Sequence, residues 1–172
     1  MLAAAERLEI DDPLAARWQE VIDRLVALPV DDEGLMLAEE TPAPRYHRHL
    51  SHLLAIYPLY LFNIDQPDNR TMLDATFERV QITVRGPDDV PKAQNQAMLQ
   101  THAAAIACAL GRGDDALAGL QMLADDLLPN GLWACAGNPC FESSVSLMSV
   151  VQDMLIQSWS DPAADEPGPI RA

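Results

Sequence analysis

The sequence predicts an all-α fold of consecutive antiparallel helical hairpins with little strand, and three observations carry that prediction. Apolar residues recur at helical spacing along nearly the whole chain. Proline, glycine and asparagine clusters divide it into segments of helix length, separated by short connections. A chain of 172 residues with 49% hydrophobic content can bury one core, which disordered tails cannot.

Met1 to Leu8 reads as helical but spans only about two turns, too few to be stable alone, and looks like the end of a longer helix. Leu14, Trp18, Val21, Ile22 and Leu25 then form one stripe of a helix that Asp12 can cap and Pro13 can begin, ending at Pro29. Val30 to Pro44 carries acids, glycine and prolines around one apolar run, Gly34 to Ala38, and reads as a loop with one short strand. After Pro42 and Pro44 the chain should start extended and turn helical near His49 or Leu50, which would put His49 and His52 on one helix face, with His47 elsewhere.

The next helix runs from about Asn69 to Val84, with Met72, Leu73, Thr76, Phe77 and Val80 inward. Another spans roughly Ala93 to Leu110, where Met98, His102, Ile106 and Leu110 form a row and alanines permit close packing. Gly111 and Gly113 stop it, and Asp114 caps a helix whose Leu117, Leu120, Leu123 and Leu127 lie near one stripe. That helix ends at Pro129-Asn130-Gly131, and Leu132 to Phe141 reads as a loop. The last helix begins near Ser143 or Ser144, points Leu147, Val151, Met154 and Leu155 inward, and stops after Trp159. Ser160 to Ala172, rich in Pro, Asp and Ala, should be exposed or disordered.

Charge and composition exclude several roles. With 26 acidic and 11 basic residues the net charge is -15, which repels nucleic acid and anionic membrane surfaces, and no basic stripe offsets it. No stretch approaches the roughly 20 apolar residues of a membrane helix, and no signal peptide opens the chain as given. The three cysteines lack C-x-x-C spacing. Cys108 lies in an apolar run and should be a buried thiol, while Cys135 and Cys140 are near enough to pair across a loop.

Two places carry chemistry. His47-Arg48-His49-Leu50-Ser51-His52 places three of four histidines and an arginine beside the apolar segment Leu53 to Pro58, offering donors suited to a polar ligand. The alternative is that these imidazoles cap backbone groups and pack. A metal site built from them lacks an H-E-x-x-H pair or a nearby Asp or Cys ligand, so no metal is expected. Glu142 precedes the predicted start of the last helix, where free N–H groups and the helix dipole favour an ionised carboxylate suited to a general base. It can equally be a favourable first-turn acid with no chemical role. His102, alone on an apolar row, reads as a core histidine.

These residues also carry a family resemblance. Pro44 to Leu53, followed by Ala55-Ile56-Tyr57-Pro58, resembles the H-R-H-x-S-H-L…Y-P motif of glycoside hydrolase family 95, the α-L-fucosidases and relatives. Leu110 to Ala116 is similar to a Leu-Gly-x-Gly-acid-x-Ala helix junction of that family. Phe141 to Trp159, which contains Asp153-Met154-Leu155-Ile156-Gln157-Ser158, resembles the helix that follows its catalytic loop. The three matches occur in the family's order.

The resemblance implies part of an (α/α)6 barrel, with helices in two concentric rings and a sugar held by loops at one end. It implies cleavage of terminal fucose, galactose or related sugars with inversion, which uses an acid on the leaving oxygen and a base on an opposing water, roughly 6.5–9.5 Å apart. No metal or organic cofactor is implied. Arg48 and His49 match an Arg-His pair that contacts sugar hydroxyls, and His47 and His52 flank it as further binding residues. Glu142 falls where many members have the Asp of an I-D-G-N motif that activates water, and Ser144 stands at its Asn. The longer acid shifts the base by about one carbon–carbon bond, which matters at a reacting centre. Nothing matches the family's general-acid loop or its asparagine pair. Residues 1–159 are therefore expected to be the C-terminal half of such a domain, with the rest of that domain as partner, and 160–172 a tail leading toward a β-region. Relatives are commonly exported, but the chain carries no address of its own.

Overall fold

The computed structural model describes residues 2–43, 49–85, 97–125, 133–135, 138–158 and 170–171. Six α-helices dominate the described residues: α1 (Leu2–Arg7), α2 (Ala15–Asp23), α3 (Arg70–Arg85), α4 (Ala97–Ala109), α5 (Gly113–Asp125) and α6 (Phe141–Leu155). The all-α expectation holds. The strands form three separate two-stranded antiparallel pairs: β1 (Val30–Asp31) with β2 (Gly34–Leu35), β3 (Trp133–Cys135) with β4 (Asn138–Cys140), and β5 (Gln157–Ser158) with β6 (Ile170–Arg171).

The core is organised around α4, whose residues are buried on every face except at Met98 and His102. Its alanines let neighbours approach closely, and α3, α5 and α6 all pack against it. Gly119 of α5 sits where an added Cβ would lie 3.3 Å from Ala104 Cβ. The helix stops as the glycines predict: Gly111 takes φ +68°, its N–H donates to Cys108 O (3.0 Å), and Arg112 N–H reaches Ala107 O (2.8 Å). α3 supplies Leu73, Thr76, Phe77 and Val80 to the core, as its spacing requires.

Several boundaries and faces differ from expectation. Asp12 accepts Leu14 N–H at 2.8 Å but does not cap α2, and Pro13 does not begin it: the helix starts at Ala15 behind Leu14, without a side-chain cap, and ends at Asp23 rather than Pro29. Its stripe is not core: Val21, Ile22 and Leu25 are 42%, 51% and 70% exposed, because no described element covers them. Residues 30–35 make a hairpin of two strands instead of one. α5 starts at Gly113, so Asp114 lies in its first turn and is not a cap; Arg112 O accepts Ala116 N–H. Its inward row is Ala116, Leu120 and Leu123, displaced from the predicted Leu117, which is 45% exposed.

α6 begins at Phe141, two residues early, and buries Ser143 and Val150, with Met154 packed on the main core and Leu147 on Ala97 and Leu123, leaving Val151 and Leu155 outward. The expected loop 132–141 contains the β3–β4 ribbon, whose register sets Cys140 opposite Trp133 and not opposite Cys135. α6 ends at Leu155. Gln157 and Ser158 then pair with Arg171 and Ile170. Leu127, Pro129 to Gly131, Trp159 and residues 160–169 lie outside the described residues. Among the described residues, no helix is long and apolar enough to cross a membrane.

The β1–β2 hairpin is pinned to α3. Gly34, at φ +102°, lies so close to Thr76 that a Cβ would fall 2.1 Å from its Oγ1, and Leu35 N–H donates to that oxygen at 2.9 Å. Arg79, only 7% exposed, pairs with Asp31 (3.3 Å) and Glu33 and donates to Leu35 O. This anchoring fixes the strand from which the chain proceeds toward the histidine motif.

Candidate functional site

The histidine motif enters the core through a single turn of 3₁₀ helix, Ser51–Leu53, with Leu50 at its N-cap position. Leu50, Leu53 and Ile56 are buried against the main core, which anchors the polar residues between them. His49 precedes the helix and is exposed, so the expected shared helix face with His52 does not form. A 3₁₀ turn of three residues is too short to carry both. His49 and His52 nevertheless meet across a crevice of about 10 Å³ beside Thr76 and Arg79. That volume holds at most about one water, so the crevice is packing space and not a ligand site. His47 and Arg48 lie outside the described residues.

On its other side His49 lines a cavity of about 300 Å³ with Ser51, Leu54, Tyr57, His102 and Ile106. Two imidazoles from segments 53 residues apart thus share one hollow with an aromatic ring and aliphatic walls. His102 was expected to be a satisfied core histidine. It is half-buried, makes no hydrogen bond to a described residue, and neither ring nitrogen is a buried orphan. Burial lowers its pKa first, and nearby His49 lowers it further, so the ring is neutral near pH 7. A neutral imidazole offers one donor and one acceptor.

Tyr57 lies beside α6. Its hydroxyl lies near Asp153 of that helix, and burial followed by that carboxylate raises its pKa to about 12. Burial also raises Asp153 itself, with the Tyr57 hydroxyl opposing. Asp153 lines a second cavity of about 280 Å³ with Ile64, Cys108, Met154 and Gln157, so Tyr57 borders one hollow and Asp153 the other. Gln157 Nε2 donates to Cys108 O at 2.8 Å, fixing the end of α6 on α4. Cys108 is the buried thiol anticipated, pushed up to about 11 by burial and then by Asp153.

Glu142 lies in the first turn of α6, inside the helix and not in the preceding loop, with its side chain exposed. Ser144 Oγ is buried and has no hydrogen-bond partner among the described residues. Neither residue lines the two histidine hollows. The structure therefore brings His49 and His52 together, adds His102 and Tyr57, and keeps Glu142 and Ser144 as a separate pair at the start of α6. Sequence spacing had no means of finding His102, because its row of apolar neighbours is that of a core position.

The family model described as the glycosyl hydrolase family 95 catalytic domain matches residues 1–155. The chain belongs to this family. Its catalytic domain is an α/α barrel, so the hairpins around α4 are a part of that architecture, and glycoside hydrolysis of a carbohydrate substrate is the chemistry of the family. No curated protein matches the chain.

Proposed function

We propose that this domain hydrolyses terminal O-glycosidic bonds of α-L-fucosides or related sugars, galactosides included, with inversion at the anomeric carbon. The match to the family 95 catalytic domain over residues 1–155 carries this reading. In it, Glu142 takes a proton from the water that attacks the anomeric carbon, while Arg48 and His49 bind ring hydroxyls. His47, His52 and Ser144 contribute further polar contacts. The place of Glu142 supports its role: a carboxylate in the first turn of α6 faces the positive end of the helix dipole. Ser144 supports it too, since a buried hydroxyl without a partner is costly unless something else occupies it.

The general acid is supplied from outside this chain, by the remainder of the catalytic domain, with residues 1–159 forming its C-terminal half and 160–172 leading toward a β-region. Hydrolysis of aryl α-L-fucosides and aryl galactosides by the 172-residue chain and by the product of its complete reading frame tests this. The complete product should turn over a substrate and lose at least about 100-fold with Glu142→Gln, a typical cost of removing a positioned base. The chain alone should be inactive. Turnover by the chain alone that Glu142→Gln leaves intact would refute the assignment.

A second reading, a sugar-binding protein without hydrolysis, is favoured by one observation: Glu142 and Ser144 stand where the resemblance places Asp and Asn. Calorimetric titration with fucose, galactose and rhamnose separates the two, since binding with no turnover selects the second.

A further inference from the structure

We infer that His102 is a second sugar-binding imidazole, facing His49 across the 300 Å³ cavity and gripping the hydroxyls of one neutral sugar ring whose apolar face lies on Tyr57 and Ile106. The inference rests on the hydrolase reading above and adds a binding residue on α4 to it.

The surroundings of His102 carry it. α4 is buried almost throughout, and His102 is one of only two of its residues that are not. The row it occupies is otherwise Met98, Ile106 and Leu110, so His102 is the polar residue on an apolar row. An imidazole there sets two polar nitrogens at the hollow, neither bonded to a described residue and neither sealed from solvent, so sugar hydroxyls can take the place of water at them.

The hollow is also the right size and composition. At about 300 Å³ it lies at the small end of ligand sites, suited to one ring and not to an oligosaccharide. Aliphatic and aromatic walls with a few polar groups are how such sites hold amphipathic ligands. The Tyr57 wall is itself held in place, packed against the main core and edge-to-face with Tyr60. Burial keeps His102 neutral, so it can both donate to one hydroxyl and accept from another.

Nuclear magnetic resonance of the ¹⁵N-histidine-labelled chain, titrated with L-fucose, D-galactose and L-rhamnose, tests this. The chain has four histidines, so single substitutions to glutamine assign their signals. The inference predicts that one sugar moves the His49 and His102 imidazole signals together, with the same saturation curve. His102→Ala should then weaken that sugar about tenfold, and His102→Asn, which keeps a donor and an acceptor, should weaken it less. A sugar that saturates His49 while His102 stays unmoved overturns the inference and leaves the proposed function standing. If none of the three moves either imidazole, the inference falls, and turnover by the product of the complete reading frame still decides the proposed function. The wild-type titration decides between these outcomes even if a variant does not fold.

Discussion

Helices α2 and α4 make opposite use of their sequences. α2 has the sharper division into apolar and polar faces, yet none of its residues is buried; α4 is apolar nearly all round, and only Met98 and His102 escape burial. Periodicity tells which residues share a face, and it says nothing of what covers that face. A helix that is hydrophobic on every side needs neighbours on every side, so α4 had to be central. α2 needs only one neighbour, and none of the described elements supplies it. The N-terminal region is instead tied to the core through β1 and β2, by Thr76, Arg79 and the space that Gly34 leaves open.

The comparison can be broken by mutation. Leu99→Ala in α4 should cost about 2–5 kcal/mol through lost burial and a cavity, whereas Ile22→Ala in α2 should stay within about 0.5 kcal/mol. Urea unfolding measures both, and similar losses at the two sites would mean that α2 is covered. Gly34→Ala should cost more than about 1 kcal/mol, because a Cβ at φ +102° is strained and would meet the Thr76 backbone at 2.6 Å. Loss of hydrogen-exchange protection in the hairpin before the core would show that this anchor, and not α2, holds the N-terminal region.

A smaller effect is expected at Arg112, which lies 4.5 Å over the Phe77 ring and pairs with Asp74 at 2.7 Å, joining the start of α5 to α3. Arg112→Lys should lower the thermal midpoint modestly, by the equivalent of about 0.5–1 kcal/mol, since a lysine cannot stack and fork in the same way.

The two aspartates beside the core sharpen the picture through pH. The bond from Arg112 holds Asp74 below its ordinary 3.8, against the opposing effect of burial, and Arg70 adds to it. Its contribution to stability is therefore present above pH 3.8 and lost as pH falls through the depressed folded value. Burial raises Asp153 above 3.8, so the folded state binds the extra proton, and stability should decline as pH rises from 3.8 through the raised folded value. Asp74→Asn should flatten the acid side of a stability–pH curve, and Asp153→Asn should remove the opposite slope.

The long, strongly patterned helices were legible, because α3 and α4 bury the faces that their spacing defines. α5 and α6 were legible as helices and in most of their inner rows: Leu120, Leu123, Leu147 and Met154 face the core as predicted, while Ala116 and Val150 take the places expected of the larger Leu117 and Val151. Short strands were not legible. Val30–Asp31, Trp133–Cys135 and Gln157–Ser158 are set by partners elsewhere in the chain, which two or three residues cannot encode. The same holds at the site. His49 and Glu142 stood out by motif and by place at a helix start, while His102 gained meaning only when folding set it across a hollow from His49.

Proton NMR of the sugar first released from an aryl α-L-fucoside by the product of the complete reading frame is the most direct test of the central claim. Inversion through a water activated by Glu142 predicts that β-L-fucose appears first and later mutarotates, and that Glu142→Gln abolishes its release. Initial release of α-L-fucose, or a Glu142→Gln protein that releases sugar at the native rate, would contradict it.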